Sequence, residues 1–238
     1  MVSRKQRAAI AAETMRAMED GFYRLPSGQR VDIAAQLEAA KQGTVLYRPG
    51  EGPRAGKLDP DERTRPSIEV ARETTLAAAR RLVAEDPDRG VFALNFASAK
   101  NPGGGFLGGS QAQEESLARA SGLYACLMTQ WDYYEENRGF GSCLYTDHMI
   151  YSPQVPVFRD DDDELLEEPV PVSFLTAPAV NAGVVRQKER RNARKIEATM
   201  LRRMRMLLSV AASHGHRAIV LGAWGCGVFR NDADEVAS

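Results

Sequence analysis

Two adjacent glutamates, Glu114 and Glu115, follow a run of three glycines, Gly103-Gly104-Gly105, after an interval of seven residues and Gln113. A carboxyl group held against a ligand can give or take a proton at a reacting oxygen. Consecutive glycines let the backbone approach a ligand closely and turn its N–H groups towards an anion. Ser110 and Gln113 stand three apart, as in a capping box, with Leu117, Ala120, Ser121 and Tyr124 following at helical spacing. The spacing predicts a helix opening near Ser110, and a glycine loop leading into a helix N-terminus suits phosphates. It is neither a P-loop, since no Gly-Lys-Ser/Thr follows, nor Gly-x-Gly-x-x-Gly. Glutamates in a first helical turn also complement the helix dipole, which is the plainer explanation of the pair. Neighbouring helical residues point about 100° apart. The pair is therefore not expected to grip one bond as two jaws; one carboxylate would hold a ligand hydroxyl while the other faces the bond to be broken.

A second glycine-rich segment, Gly222-Ala-Trp-Gly-Cys-Gly-Val-Phe229, follows an apolar stretch and precedes Asp232 and Glu235, again at capping-box spacing. Two strand–loop–helix junctions of this kind can converge at the carboxyl ends of neighbouring strands, where open α/β sheets bind ligands. Either loop alone reads as a tight turn. Together, and with the glutamates, they read as a site.

The surrounding pattern supplies elements to carry these loops. Helices are expected at Arg4–Met18, Ile33–Lys41 and Thr74–Glu85, with one long helix over Gln187–His214. Strands are expected at Thr44–Tyr47, Gly90–Phe96 and Ala218–Gly222. The polar stretch Arg48–Arg65 reads as loop. Met149–Phe158 and Val170–Leu175 flank the acidic run Arg159–Glu164 and read as a hairpin with a solvated tip. Its prolines at 153, 156, 169 and 171 predict an edge position. Alternation of helix and strand favours an α/β layered fold with a buried sheet, and the absence of a linker or repeat favours a single domain over 1–238.

Composition narrows the function classes. The chain has 238 residues, 26% charged and 43% hydrophobic, with a net charge of −1. No basic field advertises direct DNA binding. No apolar run approaches the roughly 20 residues of a membrane span, and the N-terminus lacks a signal peptide's apolar block, so a cytoplasmic location is expected. Cys126, Cys143 and Cys226 form no Cys-x-x-Cys pair, and His148, His214 and His216 add no zinc spacing, so neither metal nor cofactor is expected. Cys126 is expected to be a packed core thiol, and His214 and His216 turn residues.

At these motifs the chain resembles the poly(ADP-ribose) glycohydrolase family, in its compact bacterial type, which carries Gly-Gly-Gly shortly before Gln-Glu-Glu and a second, diphosphate-binding glycine loop. The resemblance runs from about Ala8 to the C-terminus. It implies a macrodomain-like three-layer α/β/α sandwich around a mixed sheet, here with an N-terminal helical extension over 1–65. It implies hydrolysis of ribose–ribose O-glycosidic bonds in poly(ADP-ribose), or in the chain carried by an ADP-ribosylated protein, with ADP-ribose as product. By position, Glu115 is the implied acid/base and Glu114 the carboxylate that orients ribose hydroxyls. Gly103, Gly104, Gly105 and Gln113, with Gly225, Cys226, Gly227, Val228 and Phe229, are implied to surround the ligand. Ser98 stands where many macrodomains have a ribose-binding Asn, so Ser98 or Asn101 is expected to make that contact. The family continues beyond the point where this chain stops, at a helix start near Ser238, which predicts a truncated C-terminus. A non-catalytic ADP-ribose reader would not need Gln113-Glu114-Glu115. Release of mono-ADP-ribose from a protein side chain is the alternative reaction on the same fold.

Overall fold

The computed structural model describes residues 2–51 and 66–237, so the loop expected over 48–65 lies, from residue 52 on, outside the described residues. The elements follow as α1 (Arg4–Asp20), β1 (Phe22–Arg24), β2 (Arg30–Asp32), α2 (Ala34–Gln42), β3 (Val45–Tyr47), α3 (Thr75–Glu85), β4 (Val91–Phe96), α4 (Gln113–Ala120), α5 (Leu123–Met128) and α6 (Trp131–Gly139). Then come β5 (Met149–Arg159), β6 (Leu165–Ala177), α7 (Ala182–Lys188), α8 (Ile196–Ser213), β7 (Ala218–Val220) and α9 (Ala233–Ala237). Five strands form one mixed sheet in the order β3-β5-β6-β4-β7, with β4 parallel to both β6 and β7.

Because successive strand residues face opposite ways, the sheet's apolar runs feed two cores. Val91, Ala93, Ile150 and Phe174 pack with α3, α4, α5 and α6 on one face. Phe92, Leu94, Met149, Tyr151 and Leu175 pack with α7, α8 and Trp224 on the other. This is the three-layer arrangement that the resemblance implies. Cys126 is fully buried in the first core, where burial pushes its thiol up to about 11. His214 and His216 hydrogen-bond to the hydroxyls of Tyr47 and Tyr151 at the turn before β7. Among the described residues no helix is long and apolar enough to cross a membrane.

Three expectations need correction. The β5–β6 hairpin is central, not an edge. However, β3 pairs only with Met149–Tyr151 and β4 only with Ser173–Ala177, so the hairpin's outer half projects beyond its neighbours. The prolines lie in that arm, where few ladder bonds are asked of the outer edges; Pro156 faces Pro171, and Pro153 sits in a register shift between Ser152 and Val155. The helix expected from Ser110 through Tyr124 starts at Gln113 and breaks at Ser121, whose extended backbone bridges to Val157. The helix expected over Gln187–His214 is two, α7 and α8. Between them the Glu189 carboxylate turns back to accept from the Ser142 hydroxyl, the Cys143 N–H and the Asn192 amide. Against the pull of burial, these bonds hold that carboxyl down at about 2.

The N-terminal helix braces the glycine loop. Arg4 and Arg7 of α1 donate to the carbonyls of Gly108 and Gly109, and the Thr14 hydroxyl donates to Arg119 O of α4 at 2.6 Å. Gly109 could carry no side chain there, since a Cβ would lie 2.1 Å from Arg4 O. On the other face Arg203 of α8, fully buried, donates to Asp147 and to the carbonyls of Leu144, Tyr145 and Pro178. It ties the segment before β5 and the end of β6 to one helix.

Removing this buried cation leaves the carbonyls of Leu144, Tyr145 and Pro178 without their donor and Asp147 with Arg202 alone. Arg203→Leu is therefore expected to cost about 3–5 kcal/mol in denaturant unfolding. Arg202→Leu, which removes an exposed partner of the same Asp147, should cost under about 1 kcal/mol. Equal losses in the two variants would show that the buried clamp is not what holds this segment.

Candidate active site

The glycine loops leave the carboxyl ends of two adjacent parallel strands, β4 and β7. They adjoin: a Cβ on Gly222 would stand 2.9 Å from the Phe96 ring. β7 is short and stops opposite Ala93, which leaves the last residues of β4 without a strand on that side. Ala97 N donates to Ala177 O of β6, so by the alternation of a strand Leu94 and Phe96 face the vacated side. Gln113 fills it. Its amide oxygen accepts from Phe96 N at 2.8 Å and its NH₂ donates to Leu94 O at 2.6 Å and to Thr75 Oγ1 at 3.2 Å. The side-chain amide thus stands in for the next strand's peptide group. Ser110 and Gln113 form no capping box; the N-cap position is Ala112, with no side-chain bond.

With Gln113 fixed, Glu114 and Glu115 enter in the first turn of α4 and meet the glycine run. Glu114, only 4% exposed, accepts from Ser98 N at 2.7 Å and from the Asn95 amide at 3.4 Å. Glu115, partly exposed, accepts from Gly105 N at 3.0 Å. A Cβ on Gly104, whose φ is +59°, would lie 2.5 Å from Glu115 Oε1 and 3.2 Å from Glu114 Oε2. The two carboxylates therefore converge on one glycine although their stems diverge around the helix. A Cβ on Gly103 would press on Phe106 and Ala118, and one on Gly105 on Ser110 Oγ at 2.6 Å. Gly103 N also bonds towards Glu114, and Gly104 N donates to Asn101 O. The anions that the glycine run's N–H groups serve within this chain are its own glutamates.

Ser98 and Asn101 lie at the same corner. The Ser98 hydroxyl accepts from the N–H groups of Lys100 and Asn101, while the Asn101 residue is exposed. The second loop has a different character. Gly225 (φ +74°) must lack a side chain because a Cβ would meet Ala179 and the Asn231 amide, each at 2.5 Å. Asn231 and Cys226 donate back into the turn, but among the described residues the N–H groups of Gly227, Val228 and Phe229 have no protein acceptor. Space around Gly227 is open and Val228 is 89% exposed. Phe229 is half-buried against Tyr145, with ring centroids 6.0 Å apart.

The sequence reading passed over Asn95, Thr75, Thr176 and Arg119. Asn95 is the polar residue in a strand otherwise apolar throughout, a readable signal that something polar is buried beside it. Its amide bonds to Glu114 and to Thr176 Oγ1. Arg119, 2% exposed, holds the entry to α4 through Ser110 O and Gln111. No local pattern announces it. Among the described residues no group of three or more His, Cys, Asp or Glu side chains is placed to hold a metal ion.

Burial pushes the Glu114 carboxyl up to about 8; the Glu115 charge pushes the same way, against bonds from Ser98 N, Asn95 and Gly103 N. Burial first, and then the Glu114 charge, also raises the Tyr133 hydroxyl well above its ordinary value. A folded-state value above the unfolded 4.5 means that folding takes up a proton between those limits. The stability tied to it is full below about pH 4.5 and is lost as pH rises through about 8. Glu114→Gln removes this titration. The melting-temperature difference between variant and parent should shift in the variant's favour from pH 5 to pH 8 and then level off. A difference independent of pH would show that Glu114 is charged in the folded protein at neutral pH.

Residues 11–160 match the family model described as the microbial-type PARG catalytic domain. No curated protein matches the chain. Among solved structures, it is similar to poly(ADP-ribose) glycohydrolase from Thermomonospora curvata bound to the inhibitor ADP-HPD. The two are 49% identical over 98% of this chain and 84% of that one, with a TM-score of 0.87. A variant of the same protein with one glutamate replaced by alanine is 48% identical over 98% and 84%, with a TM-score of 0.87. The enzyme from Deinococcus radiodurans in complex with ADP-ribose is 49% identical over 90% of this chain and 83% of that one, with a TM-score of 0.76. A family model spanning more than half the chain, on a fold that carries both glycine loops and the paired glutamates, places it: the chain belongs to the microbial-type poly(ADP-ribose) glycohydrolase family.

Proposed function

We propose that the chain hydrolyses the ribose–ribose O-glycosidic bonds of poly(ADP-ribose), releasing ADP-ribose, with Glu115 as acid and base. The observation that carries this reading is the pair of carboxylates converging on Gly104, one buried and one partly open, beside β4, the neighbour of the strand whose following loop has N–H groups without a protein acceptor among the described residues. Glu115 is the member of the pair that a ligand can reach. Its proton passes to the leaving ribose oxygen as the glycosidic C–O bond breaks, leaving an oxocarbenium-like centre. Water then adds to that carbon and returns a proton to Glu115, so the enzyme is regenerated and atoms balance. Adjacent glutamates do not have the opposed placement of the usual glycosidase pair, which flanks the bond about 5–10 Å apart. The substrate's own diphosphate takes the second carboxylate's charge role in this reading.

The other site residues divide by role. Glu114, whose carboxyl burial pushes up to about 8, would orient the ribose hydroxyls. Gly225, Cys226, Gly227, Val228 and Phe229 would cradle the diphosphate, with Phe229 against a sugar. Ser98 and Asn101 would meet the ribose at the β4 corner. Gly103, Gly104 and Gly105 hold the carboxylates in register, and Gln113 positions the helix that bears them rather than touching ligand. Residues 1–238 are read as one macrodomain-like unit, acting on free polymer or on polymer attached to protein.

Glu115→Gln keeps the side chain's shape and its bond from Gly105 N but cannot transfer the proton. Turnover of poly(ADP-ribose) should fall by roughly 100-fold or more, while calorimetric ADP-ribose affinity stays within a few-fold of the parent. An active Glu115→Gln variant would sink the assignment. Release of mono-ADP-ribose from a protein substrate, with poly(ADP-ribose) left intact, would replace the reaction.

A further inference from the structure

Behind Tyr145 the chain forms a cavity of about 430 Å³ that the reaction above does not use. Its lining includes Phe140, Tyr145, Arg194, Lys195, Thr199 and Arg202. The setting is basic: between residues 186 and 205 nine arginines and lysines face two glutamates, in a chain whose net charge is −1. Asp147 holds Arg202 and Arg203, but among the described residues no ion pair engages Arg194 or Lys195. Both are exposed, at the start of α8. Phe140 is 47% exposed, so an aromatic face is available beside the cations. Phe140 also lines a second hollow, which carries Glu135 and Glu136, so the acidic and basic groups around this ring belong to different hollows.

Cations beside an exposed aromatic ring suit phosphates alternating with bases, because guanidinium and ammonium groups neutralise the former and rings stack on the latter. Location decides among such polymers. Tyr145 lines the cavity, and its ring lies 6.0 Å from that of Phe229, at the end of the loop with free N–H groups. An occupant is thus one side chain away from the proposed diphosphate cradle. Resting on the functional reading above, we infer that this cavity holds an adjoining ADP-ribose unit of the polymer whose end lies in the active site. The chain gains affinity for long polymer there without any further contact to the terminal unit, because tethering makes the second contact intramolecular.

Binding without turnover tests this. In a Glu115→Gln background, the affinities of long poly(ADP-ribose), ADP-ribose and a single-stranded DNA of matched charge are compared with and without Arg194→Ala/Lys195→Ala. Both changes are at exposed positions, and circular dichroism checks folding. The double variant should bind long polymer about tenfold more weakly, with ADP-ribose unchanged. The slope of log Kd against log salt should fall by about 1.4, some 0.7 per cation lost. Equal weakening for ADP-ribose would make the cavity part of the terminal-unit site and overturn the proposal. An unchanged polymer affinity would overturn it too, as would an effect confined to the DNA, which would make this a nucleic-acid surface. Hydrolysis of polymer by the chain with Glu115 intact checks the functional reading separately, since the binding comparison involves no turnover.

Discussion

Two carboxylates need the space that a side chain at Gly104 would occupy, and much of the site follows from that crowding. The backbone at Gly104 is left-handed, and a Cβ there would press on Glu115 and Glu114 together. Gly105 N donates to Glu115 and Ser98 N to Glu114. Glycine run and glutamates are thus one unit, each fitting the space the other leaves. The interval of seven residues between them is the length of chain that leaves the loop, is gripped by α1 and Arg119, and re-enters as α4.

That unit is fixed to the sheet by a hydrogen-bonding constraint. A parallel sheet whose last strand is short leaves backbone groups of its neighbour unpaired, and such groups are costly to bury unpaired. Gln113 satisfies Leu94 and Phe96 at the point where β7 has ended, so the helix bearing the glutamates is pinned to the carboxyl end of β4. The opening created by the short strand is also where the second loop emerges. The same missing strand pairing therefore anchors the helix that bears the glutamates and leaves the end of β4 open beside the second loop. Burial of Glu114 follows, and with it the difference between the two carboxyls: one lies buried against Asn95 and Ser98 N, the other is partly exposed.

What was legible in the sequence was local. Gly103-Gly104-Gly105, Gln113-Glu114-Glu115 and the second loop stand in contiguous residues, and the buried strand Val91–Phe96 is an uninterrupted apolar run. Where meaning depends on a distant partner, the pattern misled. Prolines signalled an edge for β5 and β6, but they mark the projecting half of a central hairpin. The spacing of Ser110 and Gln113 imitated a capping box while Gln113 bonded to a strand 17 residues away. Helical periodicity ran through residues 187–214, and only the side chain of Glu189, reaching Ser142 and Cys143, reveals the break. The glycine run reads as a cradle for a ligand's phosphates; in the structure its N–H groups at Gly103 and Gly105 serve carboxylates of the chain itself. Among the described residues, it is in the second loop that the N–H groups of Gly227, Val228 and Phe229 have no protein acceptor.

The claim that Gly104 is glycine for the sake of the glutamates is tested most directly by Gly104→Ala. Gly141→Ala serves as its control, because Gly141 has φ +71° with nothing within 4 Å of its Cβ position, against φ +59° at Gly104. Both variants bear similar backbone strain; only the first displaces carboxylates. Displacement of a catalytic group by about 1 Å costs on the order of 100-fold in rate. Gly104→Ala should therefore lose turnover of poly(ADP-ribose) by about that factor while remaining folded and binding ADP-ribose through the second loop. Gly141→Ala should keep its rate. Turnover by Gly104→Ala within a few-fold of the parent would contradict the account and reduce the glycine run to a turn.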